Sequence, residues 1–570
     1  MKGERTAPDP AARRRPWLPV ALLVGVTMLA YLPSLANGFI WDDTISLTQN
    51  PYIRSANGLG QFWFSTRTTD YWPVTATTLW AEWRLWGLNP LGYHATNLAL
   101  HVGEVLLLWA ILRRLRVPGA ELAALLFAVH PVNVETVAWI TQRKNLMAML
   151  FYLLSILGFL RAEEGSRTAY GLSLAAFVLA LLSKGSVAIL PVVLTGIVLC
   201  RRPLGVREVL RLLPFYVVAG ILTLVDIWFQ GHLLAAGAVL RHAGGLERLL
   251  GAAAAVWFYL GKALLPIRLV LPYASWRIDP GNLLWWLPLA AALALTAFLV
   301  GKRRSGPLAG GALLAWVYFG VALFPVMGFT DVYFMKYSLV ADHYQHLALI
   351  GVTALAGAGW AQWRRSAPGL MPVAAAAGVV AILAGLTWRQ CRNYRDPETF
   401  FSATVRVNPG SALAQGELGM LLAGQRRNGE AKAHLEEALR LDPDYAEAHT
   451  NLGALLIGEG RYAEGEAQYR EALRLKPDLF VVHLNLGSLL LRQGRLEEAR
   501  RELAEVVRLK PSFAEAHAML GETLARLQRP AEAVGEYEEA LRLKPDDPAV
   551  RAQLERARAA AAPSADSFRP

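Results

Sequence analysis

An unbroken apolar run fills residues 17–36, and these 20 residues limit the fold more than any other feature. At helical rise such a run measures about 30 Å, one hydrocarbon core. Eleven more apolar segments follow, starting near Tyr93, Gly119, Leu146, Ala169, Ser186, Leu212, Leu250, Leu283, Leu308, His346 and Leu370. A chain of 570 residues that is 54% hydrophobic and only 18% charged rarely buries that much apolar surface in soluble cores. In lipid every backbone polar group needs an internal partner, so the segments are expected to be helices. The first part of the chain, residues 17–392, is thus predicted to be a polytopic helical membrane domain.

The net charge of +12 does not point to nucleic acid. The excess sits beside the apolar runs, at Arg13-Arg14-Arg15, Arg113-Arg114-Arg116, Arg201-Arg202, Lys302-Arg303-Arg304 and Arg364-Arg365. Basic loops stay cytoplasmic, which orients the chain. The tail 1–16 is expected inside as a retained signal anchor's flank, and loop 37–92 outside. Two apolar segments lie between an outer exit near Phe229 and the inner basic cluster at 302–304, where one crossing is needed. The segment 250–266, with Lys262, is therefore read as interfacial or re-entrant. About eleven spans then remain, and everything after Leu386 is expected outside; twelve would place it in the cytoplasm. Cys200 and Cys391 make no CxxC and suggest no disulfide framework.

After a linker at 393–411 the composition changes and a strict period appears. Leu-Gly recurs at Leu418-Gly419, Leu452-Gly453, Leu486-Gly487 and Leu520-Gly521, each 34 residues apart, and proline recurs at 409, 443, 477, 511 and 545. That is the period of tetratricopeptide (TPR) repeats. Each unit reads as a helical hairpin: glycine lets the paired helices approach, and proline ends the second one. Four repeats are expected over 412–547, with a capping helix and tail at 548–570. Asn451 and Asn485 occupy equivalent places on the expected concave face and could hold an extended peptide; a merely solvated polar face is the alternative.

Four outward-facing clusters carry polar residues that lipid-embedded helices do not keep for packing alone. Asp42 and Asp43 follow the first span, where an Asx-type turn and a site are both open. His130-Pro131-Val132-Asn133-Val134-Glu135, with Arg143, kinks the third segment near its outer end. Ser183-Lys184-Gly185 sets a lysine against the positive-inside bias. Asp342-His343-Tyr344 opens the eleventh segment, where Asp342 could cap a helix or the helix could receive an anion. One outer cleft holding all four would offer carboxylates to activate a hydroxyl and cations for a departing phosphate. No nucleotide-binding motif is present, so a lipid-linked sugar would bring the energy.

The ordered set Asn37-Gly38-Phe39, Asp42-Asp43, Gly92-Tyr93-His94 with Asn97 and His101, Phe127-Ala128, His130-Pro131-Val132, Glu135, Ser183-Lys184, and Ala341-Asp342 with Tyr344, followed by TPRs, resembles the transmembrane-and-TPR protein O-mannosyltransferases. The resemblance implies an all-α chain: a GT-C-type membrane domain and a C-terminal TPR α-solenoid. It implies transfer of a mannose-like sugar, with inversion, from a polyprenyl phosphate to protein hydroxyls on the extracytoplasmic side. By that resemblance Asp42 and Asp43 would be catalytic; His130, Glu135, Arg143, Lys184, Asp342, His343 and Tyr344, from the outer polar clusters, are expected to bind donor phosphate or substrate. The TPRs would bind the acceptor or a protein partner. The sequence departs from the family where Tyr71-Trp72-Pro73 replaces Tyr-Arg-Pro, His343 replaces an Arg, and Gly185 replaces an acidic residue. Short loops suggest a bacterial inner-membrane protein. A divalent metal cofactor is left open, and so are two alternatives, a non-catalytic scaffold for envelope assembly and a transferase acting on a glycan or lipid.

Overall fold

The computed structural model describes residues 17–66, 68, 71–234, 243–330 and 333–562. The expected tail at 1–16 and the last residues of the chain lie outside them. The chain divides into two units, Met1–Asn408 and Pro409–Pro570, and no strand occurs among the described residues.

Among the described residues of the first unit, seven helices are long and apolar enough to cross a membrane: Trp17–Ala36, Pro90–Arg114, Ile140–Ala162, Val206–Phe229, Leu283–Lys302, Pro307–Val326 and Leu370–Tyr394. An eighth candidate is the pair Ala120–Ala128 and Pro131–Ala138, bent by 47°. The bend has a local cause. Pro131 lacks an N–H and ends the helical ladder, and His130 caps the next turn by accepting from the Val132 N–H at 3.4 Å. This is an integral membrane protein. The count is lower than the eleven spans expected. Arg167–Leu181 and Gly185–Leu199 are apolar but short, about 22 Å each at helical rise. Leu349–Ser366 ends on Arg364 and Arg365, and Gly245–Leu264 carries Glu247 and Lys262 at its two ends.

Two stretches expected as connections are folded. Loop 37–92 contains the helices Pro51–Arg54, Gly58–Phe64 and Pro73–Trp86, which bury Leu47, Ile53, Phe62 and Leu79 against Tyr93 and Ile140. The expected linker 393–411 contains the helix Pro397–Val407, which belongs to the membrane unit. Asp396 caps it by accepting from the Thr399 N–H at 2.7 Å, Pro397 occupies its first turn, and Phe400 and Phe401 are buried. Its far end is fixed by Thr404 Oγ1 on the Leu271 carbonyl and Asn408 Nδ2 on the Pro272 carbonyl, both at 3.1 Å. The linker expectation overlooked this Asp-Pro helix start, which is legible in the sequence.

The second unit is a row of helix pairs: Ala412–Gly424 with Asn428–Leu441, Ala446–Gly458 with Tyr462–Leu475, Phe480–Arg492 with Leu496–Leu509, and Ala514–Arg526 with Pro530–Leu543, then Pro548–Ala561. A Cβ on Gly419, Gly453, Gly487 or Gly521 would lie 2.7–2.9 Å from Leu435, Tyr469, Leu503 or Tyr537 respectively. The glycines are therefore sites of close helix approach. A second device repeats with the same period. Gln415, His449, His483 and His517 each bond the carbonyl of the preceding turn proline, at 2.9–3.0 Å. Each also reaches the second helix, to His434, Gln468, Glu502 and Glu536 at 2.6–2.7 Å. In the final helix Arg551 occupies the same register and donates to the Pro545 carbonyl at 2.9 Å.

Two groups in this unit should make its stability fall as pH rises. Burial, reinforced by the charge of Glu447, pushes the Glu417 carboxyl up to about 7. The folded unit keeps a proton that the unfolded chain releases near 4.5, so its advantage is lost as pH climbs through that window. Burial opposes charging of His483, but Glu502 and the Pro477 carbonyl outweigh it and raise its pKa. That contribution is complete below the ordinary histidine value and disappears above the folded one. Hydrogen exchange of the repeat helices is expected to show a loss of about 1–2 kcal/mol between pH 6 and 8, once partial solvent screening is allowed for. Glu417→Gln should remove most of the slope.

Candidate functional site

The Asn37-Gly38 turn after the first span is held by the end of the last one. Asn37 Nδ2 donates to the Cys391 carbonyl at 3.1 Å, and the Gly38 N–H to the Arg395 carbonyl at 2.8 Å. Trp41 then adopts φ +41°, a conformation that a bulky residue takes only under constraint. Its ring is stacked on Trp139, with centroids 5.5 Å apart.

This constrained turn separates the two carboxylates. Asp43 is buried and accepts from the Ile40 N–H at 3.0 Å and the Thr141 N–H at 2.9 Å. Asp42 is half-buried and accepts from the Thr141 hydroxyl at 2.7 Å. Burial raises the pKa of both groups. The charge of Asp42 raises Asp43 further, while Lys144 and the Thr141 hydroxyl hold Asp42 back.

Thr141 precedes a buried knot around Arg143. Its guanidinium donates to Asn97 Oδ1 at 2.7 Å, to the Tyr93 carbonyl at 2.8 Å, and to the carboxylate of Glu82. Arg143 is fully buried. Asn97 in turn donates to the Val137 and Trp139 carbonyls, both at 3.2 Å. His130 is also engaged: Nε2 meets the Ala263 carbonyl at 3.0 Å, and Nδ1 is the cap on Val132.

The other candidates converge. His343 Nδ1 lies 2.5 Å from Glu135 Oε1, while Glu135 Oε2 is buried with no hydrogen-bond partner among the described residues. Asp342 accepts from the Tyr273 hydroxyl at 2.8 Å. Burial raises Asp342, and the charge of Glu135 adds to it; burial lowers His343, with Lys184 and Lys144 reinforcing. Lys184 Nζ donates to Asn145 Oδ1 at 2.5 Å and lies 5.6 Å from the Tyr344 ring centroid. Asn145, Lys184, Ser186, His343, Tyr344 and His346 share one cavity wall.

The structure thus gathers Lys184, His343 and Tyr344 around one cavity and joins Glu135 to His343. It occupies His130, Arg143 and Asp43 with internal partners. Sequence reasoning missed Glu82, Thr141 and Tyr273, and gave Lys144, beside Arg143, no role of its own. Lys144 directly follows Arg143, and its charge acts on both Asp42 and His343. In the second unit Asn451 and Asn485 share a helix register with Glu417 and Met519, and the two asparagines are half-buried.

Residues 73–229 match the family model described as dolichyl-phosphate-mannose-protein mannosyltransferase. Residues 417–479 and 484–548 match a tetratricopeptide repeat model. The chain is similar to protein O-mannosyltransferases and carries TPRs. It is 33% identical over 196 residues to protein O-mannosyl-transferase TMTC4 of Homo sapiens, a match covering 30% of this chain and 26% of that protein. It is 33% identical over 183 residues to TMTC1 of Mus musculus, covering 29% of this chain and 19% of that protein. It is 30% identical over 155 residues to TMTC3 of Homo sapiens, covering 25% and 17%. The chain therefore spans at most 26% of these curated relatives' length. Among solved structures, a MamA protein is 19% identical, with TM-score 0.24, covering 26% of this chain and 81% of that one.

The Arg143 knot gives a stability test. Arg143→Met leaves Glu82 as an unpaired buried carboxylate and should cost about 3–5 kcal/mol. Lys184→Met, at the cavity wall, should cost far less. Thermal unfolding of the detergent-solubilised variants compares the two.

Proposed function

We propose that this protein transfers a sugar, mannose by similarity, from a polyprenyl-phosphate donor to hydroxyl groups of proteins on the extracytoplasmic side of a membrane. The observation that carries this reading is a half-buried carboxylate, Asp42, influenced by a cation, Lys144, that also acts on His343 at the wall of a cavity. Lys144 acts on Asp42 and on His343, and Lys184 lines the cavity with His343 and Tyr344.

In the proposed step Asp42 takes the proton of the acceptor hydroxyl as its oxygen attacks the anomeric carbon. The bond from that carbon to the phosphate oxygen breaks, and its electron pair leaves with the phosphate. One displacement inverts the anomeric centre. Lys184 and Lys144 offset the charge gathering on the phosphate. A carboxylate pushed above its ordinary range is the better base, so the raised pKa of Asp42 suits this role. Asp43 fixes the turn through the Ile40 and Thr141 amides and positions its neighbour. Glu135 and His343 form a second polar pair for substrate hydroxyls. His130 and Arg143 belong to the scaffold, because their polar atoms are already taken.

We assign the repeats to acceptor or partner binding, with Asn451 and Asn485 holding an extended chain by its amides. We place them outside the cytoplasm; a reporter fused after the last residue should be active there, and activity confined to the cytoplasm would reverse that placement.

Transfer from a radiolabelled polyprenyl-phosphate mannose to a Ser/Thr-rich peptide, in membranes containing the protein, tests the chemistry. Asp42→Asn should lower kcat by about 100-fold or more with little change in unfolding temperature. Lys184→Met should mainly raise the donor KM. With Asp42 as base, the rate should fall on acidification, and the midpoint should lie above the ordinary aspartate value of about 4. Full activity in Asp42→Asn would exclude the mechanism.

A further inference from the structure

Within the membrane unit, beside the cavity whose wall His346 shares with Lys184, three side chains meet whose protonation is not balanced by their hydrogen bonds. His101 and Glu104 project from the helix Pro90–Arg114, and His346 follows the turn Asp342–Gln345. All three are buried, Glu104 and His101 completely. His101 Nδ1 lies 3.1 Å from Glu104 Oε2, and His346 Nε2 lies 3.2 Å from the same oxygen. The three ligand atoms all fall within 4.8 Å of one another.

The outer nitrogen of each ring is committed as a donor. His101 Nε2 lies 3.1 Å from the Ala128 carbonyl, an oxygen that only accepts. His346 Nδ1 lies 2.8 Å from Asn133 Oδ1. The Asn133 amide cannot be turned over, since its Nδ2 donates to the Phe127 carbonyl at 2.8 Å. Both outer nitrogens therefore carry hydrogen. In neutral imidazoles the inner nitrogens are then lone pairs. Two lone pairs face one carboxylate oxygen at 3.1 and 3.2 Å. A single proton on Glu104 would serve only one of them. Making both rings cationic would bury two adjacent imidazoliums against one carboxylate, in a shell walled by Tyr31 and Phe127.

We propose that His101, Glu104 and His346 bind one divalent transition-metal ion, zinc by donor set. Two imidazoles and one carboxylate are an established zinc ligand set, and a metal-bound histidine characteristically gives its other N–H to a carbonyl or carboxylate. Both rings here do so. With bonds of about 2.0–2.1 Å, neighbouring ligand atoms of a tetrahedral ion lie about 3.3–3.4 Å apart, close to the two measured separations. The ion would pin the turn bearing Asp342, His343 and Tyr344 to the helix Pro90–Arg114, a structural role that does not depend on the proposed transfer chemistry.

The full chain, purified in detergent with a histidine-free tag and no chelator, should carry about one zinc ion by mass spectrometry, as one such ligand set requires. Cobalt exchanged into the site should give visible d–d bands of a low-coordinate ion. Glu104→Gln and His346→Gln should each cut bound metal by about 10-fold or more, whereas His434→Gln, in the repeats, should keep it. X-ray absorption at the zinc edge of the unaltered chain should show two imidazoles, which covers the case in which those variants do not fold. An unaltered chain with no bound zinc and no cobalt bands on titration would overturn the proposal. So would a zinc shell with one imidazole or none, or full metal retention in a folded Glu104→Gln/His346→Gln double variant.

Discussion

One buried guanidinium determines how the end of the membrane unit that carries the acidic pair is assembled. Arg143 is shared by three stretches of chain: Glu82 in the first loop, Tyr93 and Asn97 on the second spanning helix, and its own helix. Burying that charge is costly, and only a complete set of partners offsets the cost. The partners are complete, so the three stretches lock in a single arrangement. Thr141 lies two residues before Arg143, and its amide and hydroxyl hold Asp43 and Asp42. The position of the acidic pair is thus inherited from an ion pair that lies beneath it.

The two units use different physics. The membrane unit leaves much of its apolar surface outward, with Leu283–Lys302 burying nothing in its spanning window, because lipid replaces the partner that water would demand. Its specificity comes from buried polar contacts of high sequence separation, such as Asn37 with Cys391 and Thr387 with Val129. The repeat unit relies on local contacts. Each glycine meets a bulky residue on its paired helix, and each staple reaches only the preceding turn and the second helix of the same hairpin. Such an array adds stability repeat by repeat, while the membrane unit depends on long-range closure.

That difference explains what was legible in the sequence. The repeats were readable because their constraint is periodic: Gly487 and Pro477 recur in register, and hydropathy marks helices such as Leu370–Cys391 without knowledge of the fold. The span count was less readable, since Arg167–Leu181 and Gly185–Leu199 have the composition of spans but not the length. Site residues were legible as clusters and not as roles. His130 and Arg143 look like substrate ligands when their partners are unknown, and those partners, Ala263, Glu82 and Asn97, are separated by 133, 61 and 46 residues. Lys144 and Thr141 carried no motif signal of their own. Their interest comes from what the fold sets beside them.

The acidic pair is the clearest case of a distinction made by three-dimensional packing. Two adjacent aspartates on a flexible turn would share one environment and one chemistry. Here Trp41 is held at positive φ, with its ring stacked on Trp139. The chain turns there, so that Asp43 points into the amides of Ile40 and Thr141 while Asp42 stays half-open beside a hydroxyl donor. A carboxylate whose oxygens are taken up by two backbone amides is poorly placed to accept a further proton. A half-buried one beside a hydroxyl donor keeps a side open to another group. The strain at Trp41 is therefore what separates an aspartate tied to backbone amides from one left half-open, and it is sustained because the Asn37-Gly38 turn before it is anchored to the far end of the unit, at Cys391 and Arg395.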